Sequence, residues 1–179
     1  MSLPSRETET MEIRPLAPSP HVVAMLSDLL IETVAAGGSV SFMHPLEPRR
    51  AAAFWDGSLA SAARCERIVL GAWVGDRIVG TVTLLLDLPP NQPHRAEIAK
   101  MMTLPAFRGR GIASSLMARA EALAVEQGRT LLVLDTATEE GASRFYERLG
   151  FVFAGEIPDF ALKPHGGLTG TRLYWKHIG

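Results

Sequence analysis

The chain has 179 residues, of which 47% are hydrophobic and 21% charged, the balance of one ordinary globular domain with a sizeable core. Its formal net charge of −1 leaves no global field to draw nucleic acid or an anionic membrane surface. A single cysteine, Cys65, excludes an internal disulfide, and the richest apolar stretch, around Leu84 to Leu86, is broken by Asp87, Pro89 and Pro90 before it could span a bilayer.

Residues 1–10 are polar and charged, and read as a mobile N-terminal segment with no secretory leader. Residues 11–179 read as a single domain, with the cytoplasm as its default compartment. Residues 11–16 alternate in polarity and predict a first strand. Ser19 is placed to cap a helix reaching Ala36, with Pro20 at its first position and Gly37-Gly38 at its end. Residues 39–46 form a loop in which Phe42, Met43 and His44 either line a pocket or pin the loop to the core. A second helix is expected over residues 47–63. Strands follow over 68–74 and 78–86, joined by the turn pair Gly75-Asp76. After a proline-rich loop, residues 96–104 predict a strand stopped by Pro105, and 111–127 a helix closed by Gly128. Residues 131–135 predict a strand apolar on both faces, ended by Asp135. A short helix over 141–149 and strands over 151–155 and 173–178 complete an α/β class chain: a mixed sheet with helices on both faces. The histidines have no metal-binding spacing and Cys65 has no near partner, so no metal site is expected.

The strand-turn-helix junction carries the chemistry. Arg108-Gly109-Arg110-Gly111-Ile112-Ala113 places glycines at alternate positions, which permits close backbone approach. The helix beginning there leaves about four N–H groups without internal partners, and its dipole puts roughly half a positive charge at the same end. With Arg108 and Arg110 this suits a pyrophosphate. A plain glycine turn with surface arginines is the bland alternative. A dinucleotide fingerprint would need a third glycine and an acid about 20 residues on, and neither is present. No Gly-Lys-Ser/Thr follows, which removes a Walker loop.

Arg108-x-x-Gly111-x-Ala113 resembles the signature of the GCN5-related N-acetyltransferases (GNATs), and Ala142-x-x-Phe145-Tyr146-x-x-x-Gly150-Phe151 resembles a second segment of that family. His94-Arg95-Ala96-Glu97, Leu134-Asp135-Thr136 and Gly155-Glu156-Ile157-Pro158 are similar to its tabtoxin-resistance branch. The resemblance implies a mostly antiparallel central sheet and transfer of acetyl from acetyl-CoA to a primary amine of a small molecule, or alternatively to a protein N-terminus or lysine. A non-catalytic acyl-CoA-binding module is the rival outside enzymes, and a homodimer is an assembly common among such enzymes.

The resemblance further implies that the backbone of Met101, Met102 and Thr103 pairs with the pantetheine arm, as an added strand pairs with a sheet edge. Arg108, Gly109, Arg110, Gly111, Ile112 and Ala113 would hold the pyrophosphate. Tyr146 matches the tyrosine that protonates the leaving thiolate; its spacing alone favours a packing residue, and it is the motif that favours the acid. Glu97 and Asp135 are the candidate bases. Glu97 is expected to share a strand face with Ala99, Met101 and Thr103, and burial would raise either carboxylate's pKa toward neutrality. Salt bridging for Glu97 and turn capping for Asp135 are the plain alternatives. An asparagine common in the family is absent from Thr138-Glu139-Glu140-Gly141; Ser143 or Thr138 is the candidate substitute.

Overall fold

The computed structural model of the chain describes residues 10–138 and 141–179; of the segment 1–10 only Thr10, exposed, falls within it. Local signals act where they were expected. Ser19 caps the helix α1 (Pro20–Ala35), its hydroxyl accepting from Val22 N–H at 3.1 Å, which satisfies one of the orphan donors of the first turn. The second helix, α2 (Pro48–Ala63), likewise opens on proline. The strands β1 (Met11–Pro15), β2 (Arg67–Val74) and β3 (Arg77–Leu85) pair antiparallel in chain order, the two helices lying between β1 and β2. Val74 pairs with Arg77 across the Gly75-Asp76 turn. Next come β4 (Arg95–Thr103), a 3-10 turn (Pro105–Phe107), α3 (Ile112–Glu126), β5 (Leu131–Ala137) and α4 (Ser143–Arg148). A long hairpin of β6 (Val152–Leu162) and β7 (Leu168–His177) closes the chain.

The strands make one seven-stranded sheet in the order β1-β2-β3-β4-β5-β7-β6. All neighbours are antiparallel except β4 and β5. Helices α1 and α2 pack on each other and on β2 to β4, while α3 covers β1 to β4 apart from them, on the opposite face. Leu26, Leu30, Trp55, Leu59, Leu70 and Leu84 have no exposed surface. Each such leucine contributes about 1.5–3 kcal/mol by leaving water. No helix among the described residues is long and apolar enough to cross a membrane.

Three expectations are corrected. The last two strands run well beyond residues 151–155 and 173–178, because β6 is an edge strand. Pro158 removes no ladder bond there, and register shifts at Phe153/Gly155 and Ile157/Ala161 absorb the irregular residues. Strand β5 alternates rather than being apolar-buried on both faces: Leu132 and Leu134 are buried, Leu131 and Val133 only partly. It also continues past Asp135 to Ala137, so that acid lies within the strand.

The third correction concerns β4. Thr83 faces Ala99 but Thr81 faces Met102, so Lys100 and Met101 together stand against Val82. This bulge puts Lys100 at φ 53°, in the left-handed region rare for side chains with a Cβ. Alternation is broken there: Glu97 and Ala99 share their face with Met102, not with Met101 and Thr103. Parallel pairing of β4 with β5 holds only for Arg95–Leu131, Ala96–Leu132 and Glu97–Val133. Arg129 secures that end, its guanidinium donating to the carbonyls of Pro93 and, at 3.3 Å, Leu86.

The seat of α3 depends on Gly80. A Cβ there would lie 2.9 Å from Ile112 Cγ2 and 3.1 Å from the Met102 carbonyl. Gly80→Val is therefore expected to lower unfolding free energy by about 1–3 kcal/mol in urea titration. Gly57, exposed within α2 with open space around it, gives the reverse: Gly57→Ala should raise it by about 0.5–1 kcal/mol.

Candidate functional site

Past Glu97 and Val133 the two parallel strands diverge and a cleft of about 630 Å³ opens between them. Residues 98–103 of β4 have no ladder partner on the β5 side among the described residues. Met101, Met102 and Thr103 line this wall. Met102 is 3% exposed, so what it presents is backbone. Thr103 Oγ1 is buried without a hydrogen-bond partner. An exposed strand edge inside a cleft is the arrangement that an extended, amide-bearing chain can complete.

At one end of the cleft stands the start of α3. Gly109 (φ 74°) and Gly111 (φ 79°) are exposed, in backbone conformations that favour glycine. Gly111 is the N-cap residue and no side chain caps the helix. The first internal bond runs from Ser115 N–H to the Gly111 carbonyl at 3.0 Å, so the amides of residues 112–114 have no carbonyl one turn back. The Ile112 side chain is buried against Gly80; only its backbone faces the turn. Arg108 and Ala113 line the cleft, while Arg110 stacks over the Phe107 ring at 4.8 Å and does not. Open amides, a dipole end and an arginine converge on space that no other described residue fills.

The two candidate carboxylates are not brought together. Asp135 lines the cleft, exposed, with its Oδ2 accepting from Thr171 Oγ1 at 2.8 Å. Glu97 sits at the closed end where the strands still pair, held by Arg95 at 3.2 Å, and the cleft begins one residue later at Ile98. Neither is buried: Glu97 keeps 34% of its side chain exposed.

Tyr146 lines the opposite part of the cleft while its ring packs against Phe145 (5.1 Å), Phe151 (6.0 Å) and Tyr174 (6.2 Å). Packing and access to the cleft therefore coexist in one side chain. Glu139 and Glu140, in the segment lacking the family asparagine, lie outside the described residues. Ser143 Oγ accepts from Arg172 at 3.1 Å, and Thr138 Oγ1 lies 3.3 Å from Thr169 Oγ1.

The roof was not anticipated. The loop after α1 meets the β6–β7 turn: His44 N–H donates to the Pro164 carbonyl at 2.9 Å, and His165 Nε2–H to the Ala35 carbonyl at 3.0 Å. The two imidazoles stand 4.5 Å apart. Phe42 lines the cleft beneath and also packs edge-on against Phe54 at 5.2 Å; Met43 and His44 do not line it. Lys100 is the second omission. Nothing in residue spacing announces a bulge, yet the bulge sets its ammonium at the cleft, donating to Ser41 Oγ at 3.1 Å and 5.7 Å from the Phe54 ring. Burial pushes Lys100 below the usual lysine pKa, Asp135 opposing and Arg67 adding to the shift.

Known proteins resemble this chain in sequence and in fold. The chain is 33% identical to the N-alpha-acetyltransferase MAK3 of Arabidopsis thaliana over 54% of its own length and 50% of that protein's. It is 31% identical to an uncharacterized N-acetyltransferase of Mycobacterium bovis over 60% of its own length and 71% of that protein's. The chain thus spans about half the length of some curated relatives. The fold superposes on an N-acetyltransferase of Staphylococcus aureus with a TM-score of 0.80 at 17% identity, covering 95% of this chain and 99% of that one. It also superposes on yncA of Salmonella typhimurium, solved with its cofactor acetyl-CoA, with a TM-score of 0.75 at 16% identity, covering 94% of each chain. The profile of the acetyltransferase (GNAT) family matches residues 30–151, and the chain belongs to that family.

Proposed function

We propose that the protein transfers an acetyl group from acetyl-CoA to the primary amine of a small molecule by direct attack. The observation that carries this is the gap between β4 and β5, with an uncapped helix start at one end and Asp135 and Tyr146 on its walls. Acetyl-CoA supplies the activated thioester. The exposed amides at the start of α3, with Arg108, fit its pyrophosphate, and the unpaired β4 edge at Met101 to Thr103 fits its amide-bearing arm.

Asp135 is the base of this reading: it faces the cleft, and Thr171 orients it through one oxygen, leaving the other to accept a proton from the amine. Glu97, at the closed end and paired with Arg95, takes no direct part. The Tyr146 hydroxyl gives a proton to the departing sulfur as the amide bond forms. Alignment of amine and thioester supplies about 7–11 kcal/mol in well-oriented cases. Ser41 and Phe42 of the loop after α1 and Phe160 to Leu162 of β6 line the cleft from two sides, and the loop and the β6–β7 turn are joined at His44 and His165; this favours a small acceptor, since a peptide needs an open groove. The segments similar to the tabtoxin-resistance branch point the same way. Acetylation of protein N-termini is the second reading, favoured by the name of the Arabidopsis relative.

Coenzyme A release with a panel of small amines and amino-terminal peptides tests both; no turnover with any amine and no acetyl-CoA binding by calorimetry would remove the reading. Tyr146→Phe should lower kcat by about 10²-fold or more and leave acetyl-CoA affinity nearly unchanged; an unaltered kcat takes Tyr146 out of the mechanism. Gly111→Val, which strains a left-handed residue and fills the space before the helix amides, should weaken acetyl-CoA binding about tenfold in calorimetry.

A further inference from the structure

The cleft holds opposite charges on opposite lips. Lys100 stands on β4 at the bulge, and Asp135 stands on β5 two residues past the last parallel pair. Among the described residues the lysine forms no ion pair; it touches a neutral hydroxyl, Ser41 Oγ, and the face of Phe54. A partly desolvated ammonium with no bonded anion is costly, and a carboxylate arriving from solvent would offset that cost. Asp135 is the complement: an exposed carboxylate with one oxygen on Thr171.

We propose that the acceptor is an amine bearing a carboxylate a few bonds from its nitrogen, as a free amino acid does, with Lys100 receiving the carboxylate and Asp135 facing the amine. The assignment rests on the acetyltransferase reading above and names its substrate class. The charge of Asp135 acts on the ammonium, but the two groups form no ion pair with each other. The strands diverge between them, and Lys100 is drawn toward Ser41 on the loop after α1. A zwitterion spans that separation, placing negative charge at the lysine and the amine at the aspartate. A lone amine leaves Lys100 unsatisfied, and so does a peptide N-terminus, whose first carbonyl is an amide.

The backbone supports the placement. The left-handed conformation of Lys100, φ 53°, costs energy in a residue with a Cβ. Residues held in such conformations cluster at ligand sites, and here the bulge delivers the side chain to the cleft. Ser41, its hydrogen-bond partner, lines the same cleft and is also left-handed, at φ 74°.

The test follows coenzyme A release with matched acceptors: a set of L-amino acids and their α-amides, which keep the amine and lose the negative charge. Rates are referred to the unprotonated amine, whose share is larger for the amides. The wild-type protein should use the best acid at least about tenfold more efficiently, in kcat/KM, than its amide. Lys100→Met should abolish this preference through KM for the acid, and Lys100→Arg should retain most of it. Equal use of acid and amide by the wild-type protein, or a preference that survives Lys100→Met, overturns the assignment and leaves the acetyltransferase reading standing. If no amine is acetylated, it is that reading which fails. The carboxylate site is then decided by calorimetry of the same acids against the wild-type protein and Lys100→Met, where an absence of lysine-dependent binding overturns it.

Discussion

Parallel pairing between β4 and β5 stops after three residue pairs, and the features that make this molecule a candidate catalyst follow from that stop. A buried ladder left open exposes backbone donors and acceptors that a sheet normally satisfies, at about 1–3 kcal/mol for each group kept from water and partners. The fold tolerates the gap because its neighbours are secure. Strands β2 to β4 are covered by helices on both faces, β7 pairs along all of β5, and Arg129 ties the closed end of the gap to three carbonyls. The opening is thus a defect enclosed by a well-packed frame, with room for an extended ligand.

The bulge at Lys100 does two things at once. By setting two residues against Val82 it reverses the facing of the strand beyond it, which separates Glu97 from Met101 and Thr103. It also places a cation where the sheet divides. With the open amides of α3 and Arg108 at one end and Asp135 across the gap, the cleft carries a charge pattern that the net charge of −1 conceals. Burial without an ion pair lowers the lysine's pKa, so a bound anion would restore it.

Much of the fold was legible in the residues. Ser19 and Pro20 announced α1, Gly75-Asp76 the β2–β3 hairpin, and the glycines at 109 and 111 the exposed start of α3, because each is a local conformational preference. Tyr146 was legible as a pair of roles, and the structure shows both environments on one side chain. The length of the β6–β7 hairpin was not legible. The strand read from the residues ends at Gly155, and only the edge position of β6 makes Gly155 and Pro158 tolerable within a longer one.

The sequence by itself determined the α/β class, the placing of most elements, and an exposed glycine-bounded helix start, since caps, turns and periodicity act over a few residues. Only the tertiary structure decided which acid faces the cleft, that Glu97 is spent on Arg95, that the loop after α1 roofs the site, and that Lys100 points into it. These depend on the register of β4 against β3 and on where β4 leaves β5. Register is set by pairing between residues far apart in the chain, and a one-residue bulge is enough to turn a side chain from one face of a sheet to the other.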